Sequence, residues 1–468
     1  MRQRILLFPI LLCCFLIGQP VFAQMDIRIK LTGITCDSVR IQSFNWKKKS
    51  GTNLVRPYQN EVQFKEKSAL KPGVYWITTD TTHRGVVLIS SNKQQMSITL
   101  CDTGLVFSKN PENTQYQEYN RMMRLYDQQL AALDNEFRDA QKLPQYMLRS
   151  IVDSLTVRAQ RINAAREQYT RDLLSKYPNT LLASVVQLSR PMPELPQALY
   201  GNPPMIQAFV MEHYFDNFPW NDPRIFNSPM AEDKLSYYCR ELVYQWDRPE
   251  LDTFVVKALE KAQVNPESHL LFFDRLERDL GFYMSDYKVE HTYIKMLQHI
   301  LRTRPDVDAV RKTYYEHELK TINKNVDGSR ATDFRYLTAQ GDTTSLYETQ
   351  SEYLLLFLHN PSCSTCREVR RRMKQFSVLD AAIAGGRLKV LTIYLENDRA
   401  LWKHYLQSEA AANYLHGWNF DQSIENQDLY ETRTIPYMYL LDKDKRVIRK
   451  NLLVNEIEDY IRHLGLAK

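Results

Sequence analysis

Tyr353-Leu354-Leu355-Leu356-Phe357-Leu358, followed by Cys363-Ser364-Thr365-Cys366 and then Arg367-Glu368-Val369-Arg370-Arg371-Arg372-Met373, is the stretch that decides how the last third of the chain is read. A short unbroken apolar run is the mark of a buried strand, and the charged residues after the second cysteine favour a helix. Strand, CxxC, helix is the arrangement in which two cysteines interconvert dithiol and disulfide. In it Cys363 stands at the mouth of the helix, and Cys366 lies about one turn inside. The positive end of a helix and its free N–H groups favour a thiolate over a thiol. Cys363 is therefore the expected nucleophile and Cys366 the expected resolving thiol of a mixed disulfide.

Three other readings of a CxxC compete. A structural zinc site wants a second cysteine pair or histidines at suitable spacing, and there is no second CxxC. A c-type haem site wants histidine after the second cysteine, where this chain has Arg367. Accidental spacing is the third. Thr434-Ile435-Pro436-Tyr437 favours the redox reading, because its proline immediately precedes a strongly apolar strand. A cis bond there would present the Ile435 backbone beside the CxxC for substrate pairing, which makes Ile435 and Pro436 the expected substrate-binding positions. The plain alternative is an ordinary proline at a strand start.

Outward from this stretch the pattern is mixed α/β. Residues 331–337 with Gly341-Asp342 read as a hairpin, and 388–394 as a strand followed by a helix over 399–406. Residues 437–441 and 446–448 are the expected terminal hairpin, with a helix over 454–464. Further back, residues 25–110 are β-rich. Met25-Asp26-Ile27-Arg28-Ile29-Lys30-Leu31 alternates with period two, Lys71-Pro72-Gly73 marks a turn, and 74–78, 85–89 and 96–100 read as strands. From about residue 112 the period becomes helical, over 112–137 and 147–174. Pro191, Pro193 and Pro196 interrupt it, and helices resume over 234–245, 251–262 and 269–280. Aromatic residues such as Tyr237, Tyr238, Phe272 and Phe273 are expected core filling.

The 468 residues are too many for one ordinary core. The fold class expected is multidomain: a signal peptide (1–23), an N-terminal all-β, sandwich-like domain (24–110), a central all-α domain (111–328) and a C-terminal α/β domain (329–468). The leader is read from Arg2 and Arg4, the apolar segment Ile5 to Gly18, and Val21-Phe22-Ala23 before Gln24. Cys13 and Cys14 lie inside its apolar segment, and bulky Leu12 precedes Cys13 where a lipoprotein signal needs a small residue. No later segment has 18 consecutive apolar residues, so a mature chain without a stable membrane span is expected. Formal net charge of +6 is too mild to argue for nucleic acid. Export implies an oxidising compartment, the periplasm or cell envelope, where a CxxC meets disulfide partners.

Residues from about 331 to 468 resemble the thioredoxin fold, specifically exported thiol-disulfide oxidoreductases of the TlpA/ResA type. The residues that carry the resemblance are Ala331-Thr332-Asp333-Phe334, Phe357, Cys363-Ser364-Thr365-Cys366, Trp402, and Thr434-Ile435-Pro436 leading to Tyr439-Leu440-Leu441-Asp442. The β region with Pro72-Gly73-Val74-Tyr75 and Pro111-Glu112-Asn113 is similar to a small domain preceding such modules in exported Bacteroidetes-type proteins. The middle region, with His213-Tyr214-Phe215-Asp216-Asn217 and Asp222-Pro223-Arg224, resembles an uncharacterised domain of the same chains. The resemblance implies a C-terminal thioredoxin fold, no cofactor and a buried acid that helps deprotonate the resolving thiol. Glu396, just after the 388–395 strand, is the candidate for that proton transfer, against the reading of an exposed loop glutamate. This chain departs from the pattern in having Ser362 before the first cysteine and Ser-Thr between the two. His359 could tune the thiolate or simply end the strand, and Arg367 could add positive potential near Cys363 but, on the first turn of the helix, is expected to point to water.

Of the other cysteines, Cys36 and Cys101 share the β region, and a bridge between them stays open because it requires close Cα atoms. Cys239 reads as a buried free thiol. Two functions are weighed. One is an exported protein-disulfide oxidoreductase acting on disulfide-containing envelope proteins with an unidentified electron donor. The other is an envelope binding protein whose β and helical regions recognise a partner, the C-terminal domain being secondary or redox-sensing.

Overall fold

In a computed structural model of the protein, the described residues are 25–43, 54–80, 84–243, 251–283, 290–432 and 435–466. The expected leader with Cys13 and Cys14, residues 244–245 of one expected helix, and Thr434 lie outside them. Two compact units divide the chain. One comprises the residues up to Pro191 together with Asn217–Glu232, and the other comprises Met192–Asp216 together with Asp233–Lys468.

The first unit begins with β1 (Met25–Thr32), β2 (Val39–Ser43), β3 (Glu61–Glu66), β4 (Gly73–Thr79), β5 (Arg84–Ile89), β6 (Gln94–Cys101) and β7 (Gly104–Ser108). One sheet has the order β3-β1-β6-β7 and the other β2-β4-β5. The alternation of β1 turns Ile27, Ile29 and Leu31 inward and Arg28, Lys30 and Thr32 outward. These residues share one core with Ile41, Ile77 and Val87 of the second sheet. β3 and β7, absent from the sequence reading, are the edge strands of the first sheet and bury only alternate residues. Gly73 is required where β4 passes Asn227: Val74 N–H donates to Asn227 O at 2.8 Å, and a Cβ on residue 73 would collide with that carbonyl.

The helices that follow are α1 (Pro111–Ala140), α2 (Gln145–Lys176), α3 (Leu181–Leu188), α4 (Pro203–His213) and α5 (Pro229–Tyr237), which runs on into a π-helical segment, Tyr238–Val243. Asn110 caps α1, with Pro111 in its first turn. The buried Asn113 ties α1 to β5, accepting from Leu88 N–H at 2.7 Å and donating to Leu88 O at 2.8 Å. The expected interruption around Pro191, Pro193 and Pro196 falls between α3 and α4.

The second unit continues with α6 (Leu251–Ala262), α7 (Pro266–Tyr283), α8 (Glu290–Thr303) and α9 (Ala309–Ile322). Tyr238, and Phe272 and Phe273 on α7, are fully buried, as core filling requires, whereas Tyr237 at the end of α5 is exposed, contrary to that expectation. The C-terminal part is β8 (Arg335–Thr338), β9 (Thr343–Ser345), β10 (Tyr353–His359), α10 (Ser364–Met373), α11 (Ser377–Ala384), β11 (Leu388–Tyr394), α12 (Arg399–Ser408), β12 (Leu415–Trp418), α13 (Ser423–Asn426), β13 (Tyr437–Asp442), β14 (Val447–Lys450) and α14 (Ile457–His463).

Its seven strands have the order β14-β13-β10-β11-β12-β8-β9, with β10 parallel to β11 and antiparallel to β13. Leu354, Leu356 and Leu358 of β10 pack on one face with Ile393 and Tyr439. Leu355 and Phe357 pack on the other with Met373, Leu379, Ile457 and Ile461 from the helices. A central strand covered on both faces has no solvent side to be polar on, which is why its sequence is an unbroken apolar run. Among the described residues no helix is long and apolar enough to cross a membrane.

Candidate active site

β10 carries the chain to the site. Its last residue, His359, pairs with Tyr394 of β11, and the next four residues form the loop ending in Cys363. The buried side chain of Asn360 organises this loop. Its Oδ1 accepts from the Ser362 backbone N–H at 2.9 Å and from Ser362 Oγ at 2.8 Å, while its Nδ2 donates to Glu396. The Asn360 carbonyl accepts from Cys363 N–H at 3.2 Å, closing the turn.

Cys363 is the N-cap of α10. Its Sγ accepts from the Cys366 backbone N–H at 3.3 Å, and its carbonyl accepts from Arg367 N–H at 3.1 Å. A sulfur thus fills a position usually held by a hydroxyl or carboxamide, over the orphan N–H groups at the positive end of the helix. Cys363 is half-buried and Cys366 buried, and both carry free thiols. Burial pushes the Cys366 thiol up and the adjacent Cys363 sulfur adds to that, while the Asn360 backbone N–H and the Arg370 charge act against it.

Facing the loop, the Ile435–Pro436 peptide is cis. The register of β10 against β13 sets Leu358 opposite Tyr437, so the residues just before β13 reach the cysteine loop. Ile435 O lies 3.8 Å from Cys363 Sγ. Cys363, Cys366 and Ile435 are therefore together, with Pro436 next in the chain. Glu396 is exposed and joins the loop through Asn360, while its own carbonyl accepts from Trp418 Nε1 at 2.9 Å.

One expectation is corrected. Arg367 is exposed, yet it folds back onto the loop instead of pointing away, donating to Ser362 O at 3.0 Å and Pro361 O at 3.4 Å. His359 ends β10, as one of its two readings expected, and is fully buried, stacked on Phe357 and bonded to Arg370 Nη1 at 3.1 Å through Nδ1. Burial, reinforced by Arg370 and His416, holds its pKa well below the ordinary histidine value.

Trp402 packs as core, stacked on Tyr394. Cys36 and Cys101 are free thiols, and Cys239 is a buried one. Among the described residues no three His, Cys, Asp or Glu side chains gather as metal ligands. The sequence reading missed Asn360, whose signal was the Asn-Pro step at a strand end. It also missed Arg370, which lies within a run of arginines and carries no local signal.

Comparison with known proteins supports a fold. A protein family described as a domain of unknown function, DUF5106, matches residues 156–325. No curated protein matches the chain. A thioredoxin-like protein from Bacteroides caccae is 27% identical with a TM-score of 0.51, covering 59% of this chain and 98% of its own. The C-terminal domain of an uncharacterized protein from Bacteroides fragilis is 35% identical, with a TM-score of 0.29, covering 30% of this chain and 98% of its own. The thioredoxin domain of a thiol-disulfide oxidoreductase from Bacteroides vulgatus is 15% identical with a TM-score of 0.27, covering 30% of this chain and 97% of its own. In fold, the chain is similar to thioredoxin-like proteins of Bacteroidetes, and thiol-disulfide oxidoreductases are among its structural neighbours.

Proposed function

We propose that the protein is an exported thiol-disulfide oxidoreductase of the TlpA/ResA type, working on disulfide-containing proteins of the cell envelope. The observation that carries this reading is the position of Cys363 Sγ, at once the cap of α10 and 3.8 Å from the Ile435 carbonyl. A disulfide bound beside that carbonyl would lie next to the sulfur, and the backbone of Ile435 beside Pro436 is the edge proposed to pair with an extended substrate segment.

In the proposed reaction the Cys363 thiolate attacks one sulfur of the substrate disulfide. A Cys363–substrate bond forms, the substrate S–S bond breaks, and the departing thiolate takes up a proton. Cys366 then loses its proton and attacks Cys363 Sγ, leaving a Cys363–Cys366 disulfide and a reduced substrate. A dithiol donor in the envelope returns the pair to the reduced state. Glu396, exposed and bonded to Asn360, is the group proposed to exchange protons between this loop and solvent.

The test uses the purified protein with a dithiol donor and a fluorogenic disulfide-bonded peptide. The wild type should turn over, and Cys363→Ser should be inactive. Cys366→Ser should accumulate mixed disulfides on Cys363, visible as dithiothreitol-sensitive adducts by mass spectrometry. Equal turnover by wild type and Cys363→Ser would refute the reading.

A further inference from the structure

Cys366, Arg370 and Met373 are the buried residues of α10, spaced so that they share one face. Arg371 on the same helix behaves as a surface arginine, paired with the exposed Glu368. Arg370 differs, being only 6% exposed. Its guanidinium bonds His359 Nδ1 at 3.1 Å and Glu409 Oε2 at 2.5 Å, and lies over the Tyr405 ring at 5.1 Å. A guanidinium held out of water at this position is costly unless its field has a use or its partners compensate fully.

Its partners do not compensate it fully at the sulfur. His359, from β10, is kept neutral by burial and by the arginine itself. Glu409, just past α12, has a side chain 38% exposed, so water screens its charge more than that of the arginine, at 7%. The other ionisable groups around this cluster are Tyr405 from α12, His416 from β12 and Lys374 just past α10. Burial keeps Tyr405 protonated, and burial with Lys374 and Arg370 keeps His416 neutral. Around Cys366 itself stand Cys363, the Asn360 backbone N–H and Arg370.

We propose that Arg370 is a positioning residue for the resolving step: its clamped guanidinium is a fixed positive charge one helical turn from Cys366 that stabilises the negative charge this sulfur acquires on attack. The inference rests on the functional reading above. In that step the Cys366 S–H bond breaks, its sulfur bonds to Cys363 Sγ, and the bond from Cys363 to the substrate sulfur breaks. The electron pair leaves with the substrate thiolate, which ends protonated. Cys366 is buried, so its charge is poorly hydrated and a nearby cation matters more than it does at the half-buried Cys363. His359 and Glu409 fix the guanidinium, and Asn360 supplies the complementary N–H.

The test follows the two steps separately with an aromatic disulfide reagent whose thiol product is coloured, in a Cys36→Ser, Cys101→Ser background. The first release reports Cys363 and the second reports Cys366 resolving the mixed disulfide. Removing an opposite charge raises a thiol's pKa by about one unit or more, and the smaller thiolate fraction is partly offset by a stronger nucleophile, so Arg370→Met should slow the second release about threefold per unit across pH 6–8. The first release should be unchanged, since Cys363 caps the start of α10 and Arg370 lies about two helical turns further along. Arg370→Lys should retain most of the second rate, and Glu409→Gln, which leaves the charge unneutralised, should not slow it. An unchanged second release in Arg370→Met overturns the inference, and so does equal slowing of both releases by Arg370→Met and Glu409→Gln, the mark of a purely structural role. If Arg370→Met does not fold, the Arg370→Lys and Glu409→Gln pair decides on the same criteria. Loss of protein-disulfide turnover by the wild type would refute the functional reading while leaving the Arg370 dependence of the second release to be read by itself.

Discussion

Acid should destabilise the second unit through two histidines that face each other away from the cysteine site. His269 on α7 and His299 on α8 are both almost fully buried, with ring centroids 5.4 Å apart in an edge-on arrangement. Among the described residues His269 Nε2 and His299 Nδ1 have no hydrogen-bond partner, so neither ring has a described acceptor ready for a second proton. Burial, with His299 and Arg304 adding to it, pushes His269 down to about 4, and burial with Arg302 lowers His299 as well. Both folded-state values lie below the unfolded value near 6.5, so the unfolded chain binds more protons between those limits. Stability is therefore fully present above pH 6.5, falls as pH drops from 6.5 towards 4, and levels off below that as far as His269 is concerned. For His269 alone the loss is about 3 kcal/mol, from a shift of about 2.5 units at 1.36 kcal/mol each. Urea unfolding at pH 7 and pH 4.5, followed by near-ultraviolet circular dichroism, measures the difference. His269→Phe keeps an aromatic ring against His299 but cannot titrate, so it should remove most of the extra loss at pH 4.5. A variant that loses as much stability between the two pH values as the wild type would refute the assignment.

Other consequences follow from single side chains. Asn360→Ala removes both Ser362 bonds and the Glu396 bond, and should cost about 1–3 kcal/mol in thermal unfolding while slowing alkylation of Cys363 through a disordered cap. Asn113→Leu strands the Leu88 N–H and carbonyl inside the first unit, and a loss of about 2–4 kcal/mol in chemical denaturation is expected with thiol reactivity unchanged. Glu290→Gln removes the counter-charge of Lys450, which is 5% exposed and paired at 2.9 Å, and leaves one oxygen to accept from both Lys450 and the Tyr437 hydroxyl, now bonded at 2.7 Å. Its cost should fall near the lower end of roughly 3–5 kcal/mol, because Lys450 keeps its bond to the Ile322 carbonyl.

How far the sequence could be read depended on whether a residue's environment was periodic or particular. β10 was legible because burial on both faces forces an apolar run, and β1 because burial on one face forces alternation. β12 was not: its four residues include a histidine and a glycine, and it earns its place by pairing with β11 and β8. The division between units was hidden too, since Asn217–Glu232 joins a unit built mostly of residues before Pro191, a grouping that no local pattern encodes. At the site, the cysteines and Pro436 announced themselves because their chemistry is bound to residue type and spacing. Arg370 did not, because four arginines within six residues read as a solvated face until the helix phase is known. Helix phase alone turns one of them inward beside Cys366, and with it the charge balance of a buried thiol. Residues whose chemistry is bound to type and spacing can be singled out in a sequence, whereas those that act through burial become visible only when packing decides which charges lose their water.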